Sequence, residues 1–176
     1  MDRKEKEQHL VKPLLNPNPE IGRWLWALED SRRRTLREIR QCPPGMLDWQ
    51  PEAAESSMGT ILYHLAGIEA DWLYAEVLER PYPAHVIALF PYEIRDGQGH
   101  LHPVRDLDLQ EHLHRLETVR GLLLGVYTRM ELTDFRRARS LPRYDVTPEW
   151  VLHHLMQHEA EHRGQLGTLR ARYTGR

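Results

Sequence analysis

Cysteine is nearly absent from this sequence: 176 residues carry one, Cys42. A lone cysteine excludes an intrachain disulfide and fits a reducing, cytoplasmic setting. Cys42 precedes Pro43-Pro44 in a turn and has no basic neighbour on a shared helical face. It is therefore not expected to act as a nucleophile. Long apolar runs are missing too, and MDRKEKEQHL has no hydrophobic segment behind its charges. Neither a membrane span nor a Sec-type signal is expected. Charge of one sign is also lacking, since 24 basic and 26 acidic side chains intersperse to a formal −2. That gives no electrostatic reason for a nucleic-acid or anionic-membrane partner, and the short clusters Arg32–Arg34 and Arg136–Arg139 read as solvated surface. No alternating strand pattern and no repeat of fixed period is present.

What remains is amphipathic helix. At this length, residues 1–176 read as one domain able to bury about two thirds of the surface that its unfolded chain exposes. Asn18-Pro19-Glu20 combines an N-cap, a proline at N1 and an acid near the positive helix end. The stripe Ile21, Trp24, Leu25, Leu28, Thr35, Leu36 and Ile39 then predicts a helix over 19–40, stopped by Pro43-Pro44-Gly45. Ser56 or Ser57 caps a second, over 57–79, whose inner face reads Ile61, His64, Leu65, Ile68, Trp72 and Ala75. Asp108-Leu109-Gln110-Glu111 fits a capping box and opens a third helix, over 109–129. There Gly121 and Gly125 cost propensity and suggest close helix approach. Thr147-Pro148-Glu149 repeats the first start signal and opens a fourth helix, over 148–171. Four such helices predict an all-α four-helix bundle. Connectors 41–56 and 80–106 exclude the tightest up-down-up-down form. The second is long enough to act as a lid or binding loop. Within it Val86 to Phe90 fits a short helix, and Tyr82, Phe90 and Tyr92 are candidates for a pocket mouth or for plain surface packing.

The anomaly is histidine in the seams. Val151, Leu155, His158, His162, Leu166 and Leu169 form one stripe of the last helix. His158 and His162 are four apart, so their rings leave adjacent turns in the same direction, roughly 6 Å apart along the axis. His64 occupies an equivalent place on the second helix. An unpaired buried ring nitrogen costs on the order of 1 to 3 kcal/mol. A divalent cation satisfies several together, and three protein ligands with an open position is how catalytic zinc sites are built. His64, His158 and His162 are thus the candidate metal ligands. Zinc and nickel suit them best, with iron and manganese also compatible. His154 lies one turn before His158 and is a candidate pocket residue, whereas His153 points away. His9, His85, His100, His102, His112 and His114 lie in polar or loop contexts that solvent exposure explains.

His158-Glu159-Ala160-Glu161-His162 is also literally H-E-x-x-H, the helical signature of zinc proteases. Such enzymes take a third ligand from downstream, yet RGQLGTLRARYTGR contains no His, Asp or Glu. Glu159 points about 100° from His158, and Arg163 at i+4 offers it an ion pair. The glutamate therefore reads as a neighbour of the site or a surface partner.

The closing WVLHHLMQHEAEHRGQL resembles the last-helix signature of the DinB/YfiT-like metalloenzyme superfamily, H-x-x-x-H-R-G-Q preceded by a Trp. SSMGTILYHLAGIEADWL is similar to that family's second helix, with a histidine in an apolar run and a Trp two turns on. LDWQPEAAESS resembles the segment leading into it. The resemblance implies an up-down-down-up four-helix bundle, usually a homodimer, with a divalent metal held by His64, His158 and His162 at the open end. Relatives include enzymes that use low-molecular-weight thiols such as bacillithiol or mycothiol, and the name-giving member is DNA-damage-inducible. The 80–106 connector is longer than a minimal member's.

The expectation is a metal-dependent transferase or hydrolase acting on a small molecule, with an open coordination position facing a cavity beneath 80–106. Tyr92, Tyr144, Arg143, Glu149, Trp150 and His154 are candidates for the pocket wall. Arg163, Gly164 and Gln165 are read as serving the fold. The alternative is a metal-binding or stress-response bundle without catalysis.

Overall fold

The computed structural model describes residues 9–40, 42–43, 45–52 and 55–175. The mixed stretch before residue 9, Pro44 in the expected helix stop, and part of the 41–56 connector lie outside them. Four long helices form: α1 (Pro19–Ile39), α2 (Met58–Asp71), α4 (Leu109–Tyr127) and α6 (Pro148–Thr174). Short helices α3 (Ala84–Ile87) and α5 (Leu132–Phe135) lie in the connectors. The starts are where the capping chemistry puts them. Asn18 accepts from the Glu20 amide, Ser57 from Thr60 and Thr147 from Trp150. Asp108 and Glu111 close both bonds of a capping box.

Side-chain pairings give the topology. Arg32 meets Glu159, Arg163 meets Ser31, and Arg170 meets Glu38, so α1 and α6 run parallel. Gly59 lies against His112 and Glu69 pairs with Arg120, so α2 and α4 are also parallel. His64 faces His158 while Trp72 faces Trp150, so α2 and α6 are antiparallel. The bundle is up-down-down-up. α1 packs mainly on α6, and α2 mainly on α4. Helix α2 is buried nearly all round, as expected of a helix whose apolar residues are not confined to one stripe. Each fully buried leucine, such as Leu25, Leu62 or Leu116, contributes about 1.5 to 3 kcal/mol.

Four departures from the sequence reading matter. First, α2 does not continue to residue 79 as an α-helix. Trp72–Val77 winds as a π-helix, which keeps Leu73, Tyr74, Glu76 and Val77 buried. Second, a two-stranded hairpin, β1 (Arg139–Ser140) with β2 (Asp145–Val146), fills the connector before α6. Third, the short helix of the long connector spans Ala84–Ile87 rather than 86–90, starting directly after Pro83 and tightening beyond Ile87 into i→i+3 turns from the Leu89 and Phe90 amides to the Val86 and Ile87 carbonyls. Fourth, the close-approach glycines are others than expected. A Cβ at Gly121 would meet nothing within 4 Å among the described residues, and one at Gly125 only the end of Arg129. At Gly67 it would lie 2.6 Å from the Ile94 side chain. The 80–106 segment seats on α2 there, held also by Tyr63. Its hydroxyl donates to the Tyr92 carbonyl (2.6 Å) and accepts from the Tyr92 amide (3.0 Å).

The arginine clusters are split between core and surface. Arg33 and Arg34 pair with Asp30 at the surface, but Arg32 is buried. Arg32 donates to Glu159 and Glu69 (both 2.7 Å), and Arg120 to Glu69 (2.7 and 2.9 Å), Glu159 (3.1 Å) and Glu29 (2.7 Å). Each long helix thus contributes one buried charge to an interior layer, Arg32, Glu69, Arg120 and Glu159, with the less buried Glu29 of α1 at its edge. Burial pushes the Glu69 carboxyl up, but Arg120 and Arg32 outweigh it and hold it below the usual range. Arg139 is likewise buried, donating to Asp134 and to the Arg137 carbonyl.

Candidate metal centre

One turn from that layer, α2 and α6 bring three imidazoles together. His64 Nε2 lies 3.1 Å from His158 Nε2, which lies 3.1 Å from His162 Nε2. One ligand atom from each falls within 4.8 Å of the others. The i, i+4 spacing on α6 supplies two rings and the antiparallel α2 supplies the third. A ring nitrogen has a single in-plane position, either lone pair or proton. His158 Nε2 therefore cannot satisfy two neighbours by ordinary hydrogen bonds while all three remain lone-pair donors. One cation at the common point uses all three. Bonds of about 2.0 to 2.1 Å at octahedral to tetrahedral angles separate ligand nitrogens by roughly 2.9 to 3.4 Å, so two of the three spacings already fit.

The surroundings favour the unprotonated rings that a metal requires. Burial, then the neighbouring imidazoles and the Arg95 guanidinium, lower His64 to about 3. Burial, His162, His154 and Arg95 do the same for His158, also to about 3. Burial lowers His162 as well, against the opposing effect of the hydrogen bond it makes to Gln165. His162 Nδ1 faces Gln165 Oε1 at 2.8 Å, so the ring donates there and leaves Nε2 as the lone-pair nitrogen. Such an acceptor fixes tautomer and orientation in metal-binding histidines. His64 Nδ1 is buried with no hydrogen-bond partner among the described residues.

The family assignment rests on a match that takes in all three histidines: the DinB superfamily model covers residues 27–166. The chain belongs to the DinB superfamily. No curated protein matches it. Its three-histidine cluster, capable of coordinating a divalent metal, lies within the matched part of this DinB bundle.

The other candidates fall in several places around the DinB cluster. His154 does adjoin it, its ring 5.9 Å from His158 and stacked on Trp150 at 5.1 Å. Tyr144 and Trp150 flank Trp72 and line a cavity of about 550 Å³. On the other side, Glu161, Gln165 and Ile61 line one of about 490 Å³. Cavities therefore flank the cluster along α6. Tyr92 sits on the long connector, stacked on His102 with ring centroids 5.6 Å apart. Glu159 turns into the interior layer and pairs with Arg32 and Arg120, not Arg163, which donates instead to Ser31. Gln165, read from the sequence as serving the fold, meets His162. His112, expected at the surface, is buried beside Gly59 and lowered by burial to about 4. Burial likewise pushes the Cys42 thiol up.

Sequence reasoning missed Arg95, whose charge reaches all three rings. Nothing in a connector of mixed polarity singles it out. It also missed the interior arginines and Glu69, although a signal existed. Arg32 follows Leu28, Arg120 follows Leu116 and Glu69 follows Leu65, each by four positions along an apolar stripe.

Proposed function

We propose that this chain is a metal-dependent enzyme acting on a small molecule, with His64, His158 and His162 holding one divalent cation. Zinc or nickel is favoured over iron or manganese, and the chemistry is thiol-dependent S-transfer or hydrolysis. The observation that carries this reading is the convergence of three Nε2 atoms whose protonation burial disfavours. A bound divalent ion supplies Lewis acidity that makes a water or a small thiol a nucleophile near neutral pH. Because Cys42 is withdrawn from the site and its thiol is raised, any thiol comes from a small molecule. Gln165 holds the His162 ring, and Trp72 and His154 wall one side with ring centroids 4.6 Å apart. Arg95 places positive charge near the cluster, which favours an anionic group on the reacting molecule. The same reading takes the chain as one cytoplasmic domain working as a homodimer.

Metal analysis of the purified protein beside its His64→Ala and His158→Ala variants tests the ligand set. About one equivalent per chain is expected in the parent and a large loss in both variants. Circular dichroism confirms that the variants fold. Consumption of bacillithiol, glutathione or cysteine with monochlorobimane then tests the chemistry. Turnover that survives chelation or His64→Ala would reject the thiol reading. A fully loaded protein with no turnover would favour metal binding without catalysis.

A further inference from the structure

Where α2 unwinds into its π-helical turn, it and the start of α6 enclose a cavity with different chemistry from the histidine cluster. Its volume is about 550 Å³, and Trp72, Tyr144 and Trp150 form its aromatic walls, with Asp145, Val146 and Thr147 also lining it. The Trp72 centroid is 5.3 Å from that of Trp150 and 6.2 Å from that of Tyr144. Ring faces carry negative electrostatic potential and attract a cation placed within about 6 Å of the centroid.

Behind this box stands a carboxylate with no counter-charge among the described residues. Glu76 is 8 % exposed, and Tyr144 Oη donates to its Oε1 at 2.9 Å. Its Oε2 is buried and has no hydrogen-bond partner among the described residues. The contrast with Glu69 and Glu159 is direct, since each of those holds two guanidinia. Burial and the Asp71 carboxylate push the Glu76 carboxyl up, against the Tyr144 hydrogen bond. A buried anion left in that state lowers its free energy by acquiring a cation or a proton. Tyr144 touches both Glu76 and Trp72 of the π-helical turn, and the Asp145 carboxylate adds negative charge at the cavity itself. The exposed Arg143 acts on Tyr144 with the opposite sign.

We propose that the Trp72/Tyr144/Trp150 cavity binds the cationic amine end of a small molecule, an alkylammonium group, with Glu76 as the buried counter-charge. Trp150 is 46 % exposed, so the box opens to solvent. The Trp150–His154–His158 row of rings connects it to the histidine cluster. A molecule seated by its ammonium group therefore extends along His154 toward the three Nε2 atoms. This names a substrate class for the function proposed above and rests on that reading only for what happens at the histidines. The binding step itself does not depend on metal.

The test uses choline and its uncharged isostere 3,3-dimethylbutan-1-ol. Each is titrated by calorimetry and tryptophan fluorescence into the parent, Glu76→Gln, Trp150→Ala and His64→Ala proteins. Saturable choline binding about tenfold tighter than the neutral isostere is expected, with about tenfold loss in Glu76→Gln and at least as much in Trp150→Ala. Trp150 is a surface residue, so its variant remains informative should Glu76→Gln not fold. Retained binding in His64→Ala is expected, and it separates failure of the metal reading from failure of this one. Equal affinity for the two probes, preference for benzoate through Arg143, unchanged binding in both cavity variants, or no saturation at tens of millimolar would each overturn the proposal.

Discussion

Two polar clusters sit a few residues apart on the same two helices and settle their charges in opposite ways. Helix α2 carries His64 and Glu69, and α6 carries Glu159 between His158 and His162. In the Arg32/Glu69/Arg120/Glu159 layer, two guanidinia meet two buried carboxylates, and their remaining donors go to the Leu116 and Leu28 carbonyls and to Glu29, so every partner is a group of the fold itself. In the histidine cluster, three like nitrogens face a common point, and no member supplies what the others need. A buried polar group requires a partner in either case. The first cluster finds it within the chain and therefore belongs to the architecture. The second leaves the position for something from outside, which marks it as a site.

Removing one member of the closed layer is the harshest way to challenge that distinction. Arg120→Met leaves two buried carboxylates short of donors and is expected to cost about 3 to 5 kcal/mol in urea unfolding. Adding Glu69→Leu should recover part of that loss, because the orphaned charge leaves as well. A loss under about 1 kcal/mol in the single variant would show that the layer is not an integral part of the structure.

The open cluster should respond in another currency. Gln165→Leu removes the acceptor at His162 Nδ1 and is expected to weaken zinc or nickel affinity about 10- to 100-fold. Gln165 is exposed, so metal-free stability should stay within about 0.5 kcal/mol. Competition with a chromophoric chelator gives the first number and thermal melting the second. Stability falling with affinity unchanged would place Gln165 with the architecture instead.

His112 sharpens the comparison, because its Nδ1 is also buried without a partner among the described residues, yet no other ligand converges on it. Burial lowers its folded-state value to about 4, with Arg115 adding to the effect. The unfolded chain therefore takes up this proton first as pH falls. The stabilisation is intact above about pH 6.5, the ordinary histidine value, and is lost progressively toward pH 4. Each pH unit in that window costs at most about 1.4 kcal/mol for this one group. The difference in unfolding free energy between parent and His112→Gln, followed from pH 7 to 4.5 in chelator, should show that slope. Parallel curves would mean that His112 gains its proton without penalty.

The parts of this fold that could be read from sequence are those set by local chemistry. Asn18, Ser57, Asp108 and Thr147 each cap the helix expected of them, because a side-chain oxygen three or fewer residues from an orphan amide acts wherever the chain ends up. The histidine trio could be read because its members interrupt apolar stripes. Arg32, Glu69 and Arg120 interrupt stripes in the same way, but a charged residue is ordinarily placed at the surface by composition alone. Only the packing of all four helices shows that their charges cancel. The π-helical turn left no trace, since Ile68, Trp72 and Ala75 continue an α-helical spacing through it. His112 looked exposed between Glu111 and Leu113. It is covered by α2 at Gly59, a neighbour more than fifty positions away in the chain.

The four-helix charge layer also bears on how the molecule assembles. Its bonds join residues separated by 37, 51 and 127 positions, with the last linking α1 to α6. Contacts of such span are late and slow to form, because the intervening chain must first be ordered. An α1–α2–α4 intermediate would hold Arg32 and Arg120 against Glu69, with Glu29 on Arg120, and would leave the Arg32 Nε–H without the acceptor that Glu159 brings when α6 arrives. The same docking event delivers His158 and His162 to His64. Refolding followed in parallel by tryptophan fluorescence and by zinc uptake should therefore show a single slow phase common to both signals.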